Sequence, residues 1–102
     1  MASGKNKLLN RVINELITNS LKYAFPDDRK GEITVAMKKV ENELELTVMD
    51  DGVGFPVGVD WRNTNSLGLK LVRSLTEDQL GGSIDMESNN GTKFTIKFNV
   101  EA

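Results

Sequence analysis

The 102-residue sequence lacks two residue types altogether, cysteine and histidine. Without cysteine the chain can form no disulfide bond, thiolate metal site or cysteine nucleophile, and without histidine it lacks the commonest general base and zinc ligand. It has no apolar run long enough to cross a membrane, and a formal net charge of −2 provides no basic surface for nucleic acid. Any chemistry therefore depends on carboxylates, amides, lysines, hydroxyls or the backbone.

The size and composition indicate one folded domain. A chain of 102 residues, of which 38% are hydrophobic, can bury a single modest core, so we expect residues 1–102 to form one domain. We expect this domain to be soluble and cytoplasmic, with no nucleic-acid partner and no membrane contact of its own. Residues 1–5 lack the apolar centre of a signal peptide and are interpreted as a linker or an expression remnant.

Two segments carry apolar residues at helical spacing. The first contains Leu8, Leu9, Val12, Ile13, Leu16, Ile17, Leu21 and Ala24. This spacing predicts an amphipathic helix that ends before Pro26. The second contains Leu67, Leu71, Val72 and Leu75. We predict a helix here that begins after the N-cap Ser66 and stops at Gly81-Gly82.

Alternating apolar residues predict four strands. Ile33, Val35 and Met37, followed by Leu44, Leu46 and Val48, indicate a hairpin near residues 32–50 with its turn at Glu41-Asn42. Ile84 and Met86, followed by Phe94, Ile96, Phe98 and Val100, indicate two more strands around the turn Asn89-Asn90-Gly91. The resulting order α-β-β-α-β-β predicts an α+β fold, a two-layer α/β sandwich with helices on one face of the sheet.

Strand parity places two polar residues on the core face of the predicted sheet. The inward set Leu44, Leu46 and Val48 continues to Asp50, directly before a glycine-rich loop. The inward set that contains Phe94 extends backward to Thr92. The two side chains would thus meet at one end of the core. Alternatively, Asp50 only caps the following turn and Thr92 only starts a strand.

A polar stripe runs along the first helix beside its apolar face. Because residues advance by about 100° each in a helix, Glu15, Asn19 and Lys22 fall within one narrow stripe. A carboxylate, an amide oxygen and an ammonium in one row suit a hydrated magnesium ion with its phosphates. The alternative is a solvated stripe with weak side-chain pairs.

Four sequence blocks together resemble a known family. Residues 14–23 (NELITNSLKY), 50–54 (DDGVG), 66–72 (SLGLKLV) and 91–94 (GTKF) are similar to the N box, the two glycine boxes and the GTxF motif of sensor histidine kinase ATP-binding domains. These domains belong to the GHKL superfamily (HATPase_c), with gyrase, MutL and the heat-shock chaperone ATPases. The resemblance implies the Bergerat fold with a mixed sheet. The run 66–72 followed by QLGG at 79–82 most resembles kinases with a HisKA_2 type of dimerisation domain.

The resemblance implies ATP and Mg²⁺ as cofactors and assigns residues to them. Asp50 would accept a hydrogen bond from the adenine amino group, and Thr92 would support that contact. Tyr23 would pack beside the base. Asn19 would bind magnesium and Lys22 would contact a phosphate.

The glycine boxes and the segment between them would complete the site. Gly52 and Gly54 would let the backbone turn tightly beside the base. The start of the second helix would bind phosphate through its free N–H groups, and it contains Ser66, Leu67, Gly68 and Leu69. Residues 55–65 would form a lid over the nucleotide.

The sequence departs from the family pattern in two residues. Glu15 stands where most histidine kinases have asparagine and where hydrolysing relatives have a catalytic glutamate, so it is a predicted catalytic residue and, with Asn19, a predicted metal ligand. Ser66 stands where many kinases have the first glycine of the second box. The family domain also has further sequence before the N box, which implies that an upstream strand or helix is missing here.

The resemblance implies a histidine protein kinase that is incomplete without its phosphoacceptor domain. ATP, that dimerisation and phosphotransfer domain, and a response regulator would be its partners. Three alternatives remain open: a GHKL ATPase, a serine kinase like those that act on anti-sigma-factor systems, and a non-catalytic nucleotide-binding module.

Overall fold

The computed structural model describes residues 3–25, 30–54, 61, 67–88 and 90–99. Its elements, in chain order, are α1 (Ser3–Tyr23), β1 (Ile33–Val40), β2 (Glu43–Asp50), α2 (Leu67–Arg73), a π-helical segment (Ser74–Gln79), β3 (Ser83–Ser88) and β4 (Thr92–Asn99). The predicted order of helices and strands and the predicted α+β sandwich are confirmed.

The four described strands form one sheet in the order β1-β2-β4-β3. Glu41 and Asn90 adopt positive φ angles of 57° in the turns that join β1 to β2 and β3 to β4. A mixed sheet was expected, but all three pairings between the described strands are antiparallel. The reason is topological, because the two outer pairs are hairpins and β4 returns beside β2 in the opposite direction.

The core lies between one face of the sheet and the helices. It contains Leu9, Val12, Leu16, Leu46, Val48, Trp61, Leu69, Val72, Leu75, Leu80, Ile84, Phe94, Ile96 and Phe98. Leu21, which belongs to the predicted apolar face of α1, is 63% exposed. It lies on the far side of the helix from Val12 and Leu16, so helical spacing alone misassigned it.

The opposite face of the sheet carries charged residues in a cross-strand row. Glu45 on β2 lies between Lys38 on β1, at 3.8 Å, and Lys97 on β4, at 3.6 Å. These exposed ion pairs contribute little to stability, but they keep this face polar. Among the described elements, the helices therefore cover one face of the sheet.

The second helix changes type part-way along. We predicted one helix as far as Gly81-Gly82, whereas the α-helix ends at Arg73 and a π-helix continues through Ser74–Gln79. The Leu80 N–H donates to the Leu75 carbonyl at 2.9 Å, five residues back. This wider turn keeps both Leu75 and Leu80 buried, and Gly81 then ends the segment with a φ of 68°.

Within the described ranges, none of the helices is both long and apolar enough to cross a membrane. The predicted N-cap Ser66, the turn residue Asn89 and the terminal Val100 lie outside the described residues.

Candidate functional site

Asp50, the last residue of β2, joins three parts of the chain through its carboxylate. Its Oδ1 accepts hydrogen bonds from the backbone N–H of Gly52 at 3.0 Å and of Thr92 at 3.3 Å. Its Oδ2 accepts the hydroxyl of Ser20 on α1 at 2.9 Å. The carboxylate is therefore held by the glycine loop, by β4 and by α1 together, which fixes its orientation.

Thr92 lies on the core face of β4, as strand parity predicted. It is the register partner of Asp50 on the neighbouring strand, and it is 7% exposed. Its N–H binds Asp50, so its hydroxyl is not used in that contact. Asp50 and Thr92 thus share one end of the core face, as predicted.

The glycine loop after Asp50 is anchored at two points. The Val53 N–H donates to the Ala24 carbonyl at the end of α1, at 3.0 Å, and a Cβ on Gly52 would overlap Ala24. Gly54 has a φ of 72° and lies against the β3–β4 turn at Gly91. Glycine is required at both positions, at the first for close approach and at the second for backbone conformation.

Asp51, the next residue, makes contacts that differ from those of Asp50. Its Oδ1 accepts the backbone N–H of Glu32 at 2.8 Å, and its own N–H donates to the Glu32 carbonyl at 3.3 Å. These two bonds extend the β1–β2 pairing past the strand ends. Asp51 therefore supports the sheet, whereas Asp50 organises the candidate site.

The polar stripe of α1 borders the core without entering it. Glu15 and Asn19 are half-buried, and Lys22 is exposed. Glu15 and Asn19 are one helical turn apart on the helix that also carries Ser20. No group of three or more potential metal-ligating His, Cys, Asp or Glu side chains exists within the described residues. These residues offer too few oxygen ligands to hold a cation alone, so a cation bound here would also need ligand atoms from a bound molecule.

The predicted phosphate-binding residues are described only in part. Leu69 is 2% exposed and packs in the core, so only its backbone could face a ligand. Gly68 is half-buried. Ser66 and the side chains of Leu67 and Tyr23 lie outside the described residues.

One residue of the predicted lid, Trp61, packs into the core; the rest of residues 55–65 lies outside the described parts. Trp61 is 8% exposed, and its ring meets that of Phe94 edge to face, with the centroids 5.3 Å apart. Phe94 lies two residues beyond Thr92 on the same face of β4. This contact holds the Trp61 ring close to the candidate site.

Ser20 was missed by the sequence reasoning. Its hydroxyl is the α1 contribution to the Asp50 site, although Asn19 beside it was singled out. A signal existed in the sequence, because serine is a weaker helix former than alanine and competes for backbone hydrogen bonds in mid-helix. That signal shows an unusual residue but not its partner, which is 30 positions away.

Two solved structures with the same architecture come from histidine kinases. The histidine kinase domain of the EL346 blue-light activated histidine kinase from Erythrobacter litoralis superposes with a TM-score of 0.84 at 30% identity, covering 94% of this chain and 45% of that chain. The catalytic domain of histidine kinase ThkA, at 23% identity and a TM-score of 0.76, shares the fold. The class defined by the fold is thus that of the histidine kinase catalytic domains.

Comparison of the sequence with protein families shows the family of this chain. Residues 4–102 match the family described as histidine kinase-, DNA gyrase B-, and HSP90-like ATPase, and the chain belongs to it. Sensor histidine kinase PdtaS from Mycobacterium tuberculosis is 35% identical over 89 residues, which is 84% of this chain and 18% of PdtaS. Blue-light-activated histidine kinase 2 from Erythrobacter litoralis is 32% identical over 90 residues, 87% of this chain and 25% of that protein.

These matches confirm the predicted family and fold, while the HisKA_2 subgroup stays a prediction. The chain spans about a fifth of the length of PdtaS, so the match concerns one region of a longer kinase.

Proposed function

We propose that this chain is the ATP-binding catalytic domain of a two-component sensor histidine kinase. It would present Mg-ATP for transfer of the γ-phosphoryl group to a histidine on a separate domain. The observation that carries the proposal is the Asp50 carboxylate, held by α1, the glycine loop and β4 and still able to accept one more hydrogen bond. Because ATP is an intracellular substrate, the proposal also assigns the chain to the cytoplasm.

The adenine end of the ligand would lie against Asp50. Its Oδ2 would accept the adenine amino group, and the Thr92 hydroxyl would support the base. Gly52 and Gly54 would allow the backbone to come close to the ring. Tyr23 would pack beside it.

The phosphates would lie along α1 and at the start of α2. Asn19 and Glu15 would hold Mg²⁺ together with phosphate oxygens, and Lys22 would contact a phosphate. Backbone N–H groups at Ser66, Leu67, Gly68 and Leu69 would bind phosphate as well. The magnesium ion, when bound, neutralises charge on the transferring phosphoryl group.

Glu15 would be the catalytic residue of the transfer. A nitrogen of the incoming histidine forms a bond to the γ-phosphorus while the bond between that phosphorus and the leaving oxygen breaks, and ADP departs. Glu15 would accept a hydrogen bond from the histidine and raise its nucleophilicity. The chain has no histidine, so the acceptor belongs to another domain or chain, and a response-regulator aspartate would receive the phosphoryl group next.

Two measurements test the proposal. Calorimetric titration with ADP and ATP, each with and without Mg²⁺, should show binding. With radiolabelled ATP the isolated chain should stay unlabelled, whereas a histidine-bearing phosphoacceptor domain added in trans should gain an acid-labile label. Absence of nucleotide binding by the folded chain would instead support a non-catalytic module that has kept the fold.

A second candidate is a serine kinase. Serine-protein kinase RsbW from Listeria monocytogenes is 36% identical over 80 residues, 65% of this chain and 51% of that protein. Phosphoserine survives acid, whereas phosphohistidine does not, so an acid-stable label on a protein partner would favour this candidate. ATP turnover without any protein acceptor would favour a GHKL ATPase.

A further inference from the structure

The hydrogen bonds among the described residues leave Asp50 with one open acceptor position. An ionised carboxylate offers about four lone-pair positions, two on each oxygen. Both positions on Oδ1 are taken by the N–H groups of Gly52, at 3.0 Å, and Thr92, at 3.3 Å. One position on Oδ2 is taken by the Ser20 hydroxyl at 2.9 Å, so a ligand meets a single acceptor.

We propose that Ser20 is a positioning residue that sets the base specificity of the site through Asp50. This inference rests on the proposed function, in which the site binds a nucleoside di- or triphosphate. Because the Ser20 hydroxyl occupies one of the two acceptor positions of Oδ2, the carboxylate can accept one further donor. By joining α1 to β2, Ser20 also fixes the direction in which that remaining acceptor points.

The two purines differ in the number of donors they offer. The edge of adenine that carries the amino group offers one acceptor ring nitrogen and this one donor group, which can give a single hydrogen bond to Oδ2. Guanine has an acceptor oxygen at the position of that amino group, and its two donors, N1–H and the 2-amino group, lie side by side. Guanine therefore needs two neighbouring acceptor positions, and an unpaired buried donor carries a large penalty.

Removal of the Ser20 hydroxyl opens a second acceptor position on Oδ2. In Ser20→Ala, adenine loses an acceptor that is held in place, so ADP should bind more weakly. The freed position on Oδ2 faces α1, and guanine has no amino group at the place of the adenine one, so GDP gains no hydrogen bond and its affinity should change little. One hydrogen bond is worth about fivefold in affinity, so the ratio of the GDP dissociation constant to the ADP dissociation constant should fall by about that factor.

The test is calorimetric titration of the full chain with ADP and with GDP in the presence of Mg²⁺. The parent is compared with Ser20→Ala, with Ser20→Thr, which retains a hydroxyl, and with Thr18→Ala as a matched control. Thr18 is an exposed residue of the same helix. Because alanine is a better helix former than serine or threonine, both alanine variants should fold, which thermal melting verifies.

We expect the parent, Ser20→Thr and Thr18→Ala to share one preference for ADP over GDP, and Ser20→Ala alone to lose it in part. If Ser20→Ala keeps the parental ratio, or if both nucleotides weaken equally, Ser20 only stabilises the fold and the inference is overturned. Failure of the parent to bind either nucleotide would overturn the proposed function itself. Binding by the parent with an unchanged ratio in Ser20→Ala would overturn this inference alone.

Discussion

Replacing Asp50 by asparagine separates the structural role of this residue from its proposed role in binding. The amide oxygen of the asparagine can still accept the N–H groups of Gly52 and Thr92. Its NH₂ group can donate to the Ser20 oxygen, because the Ser20 hydroxyl is free to rotate and accept instead. All three contacts of the parent side chain thus have a counterpart in Asp50→Asn, and the fold should be retained.

The proposed hydrogen bond from the adenine amino group to Asp50 has no counterpart in Asp50→Asn. The position that faced the ligand changes from an acceptor to a donor, which would meet the amino group of adenine. The hydrogen bond to a charged group, about 1.5–3 kcal/mol, is lost, and two donors now face each other. A loss of about 2.8 kcal/mol corresponds to about 10²-fold in affinity, so ADP and ATP should bind roughly that much more weakly.

Alanine at the same position should behave differently. Asp50→Ala leaves the donors of Ser20, Gly52 and Thr92 without their acceptor in a partly buried place. At about 1 kcal/mol for each donor, the free energy of unfolding should fall by about 3 kcal/mol. Asp50→Asn should lower it by less than about 1 kcal/mol, because its hydrogen bonds are replaced.

Urea denaturation gives both stabilities, and calorimetric titration with ADP gives the affinities. Asp51→Asn is the matched control, since it makes the same chemical change one residue later, where Oδ1 of the side chain accepts the Glu32 N–H at the end of the β1–β2 hairpin. The control should bind ADP as the parent does. If Asp50→Asn binds ADP within twofold of the parent, Asp50 does not contact the base and our reasoning is refuted.

Three further predictions concern single side chains. Asn19→Ala should reduce the ratio of ATP affinities measured with and without Mg²⁺, and an unchanged ratio would contradict magnesium binding by Asn19. Thr76→Val removes a fully buried hydroxyl whose oxygen has no hydrogen-bond partner in the part of the chain that is described, so urea denaturation should show a gain of about 1 kcal/mol. Glu15→Gln should leave ATP affinity within a few-fold and lower transfer to an added phosphoacceptor domain by about 10²-fold; an equal fall in both would assign Glu15 to binding.

The sequence predicted the Asp50 end of the site because strands have a strict period of two. Once the inward residues of β2 and β4 were assigned, Asp50 and Thr92 had to lie on the same face. The structure makes them register partners, which parity alone does not establish. The structure shows that Asp50 does cap the following turn, because it accepts the Gly52 N–H, and that it also contacts α1 and β4. Ligand binding by Asp50 stays a prediction.

Other features depend on contacts that no local pattern contains. Ser20 and Asp50 are 30 residues apart in the sequence. Nothing in the sequence around Ser20 distinguishes it from other polar helix residues, and only the folded structure shows its partner. The apolar residues after Arg73 are equally compatible with an α-helix, so their pattern does not predict the π-helix. The wider turn places Leu75 and Leu80, five residues apart, on the same buried side. Leu21 fits helical spacing but faces away from the sheet.

The two ends of the candidate site differ in what completes them. The base end is built from hydrogen bonds within the chain, so Asp50 is already oriented before any ligand arrives. The proposed phosphate end has no group of three or more His, Cys, Asp or Glu side chains in the described residues, so Glu15 and Asn19 would need phosphate oxygens to complete the coordination of a magnesium ion. Magnesium should therefore contribute more to the affinity for ATP than to that for ADP, and nothing to that for adenosine, because each phosphate removed takes away oxygen ligands that the protein does not replace.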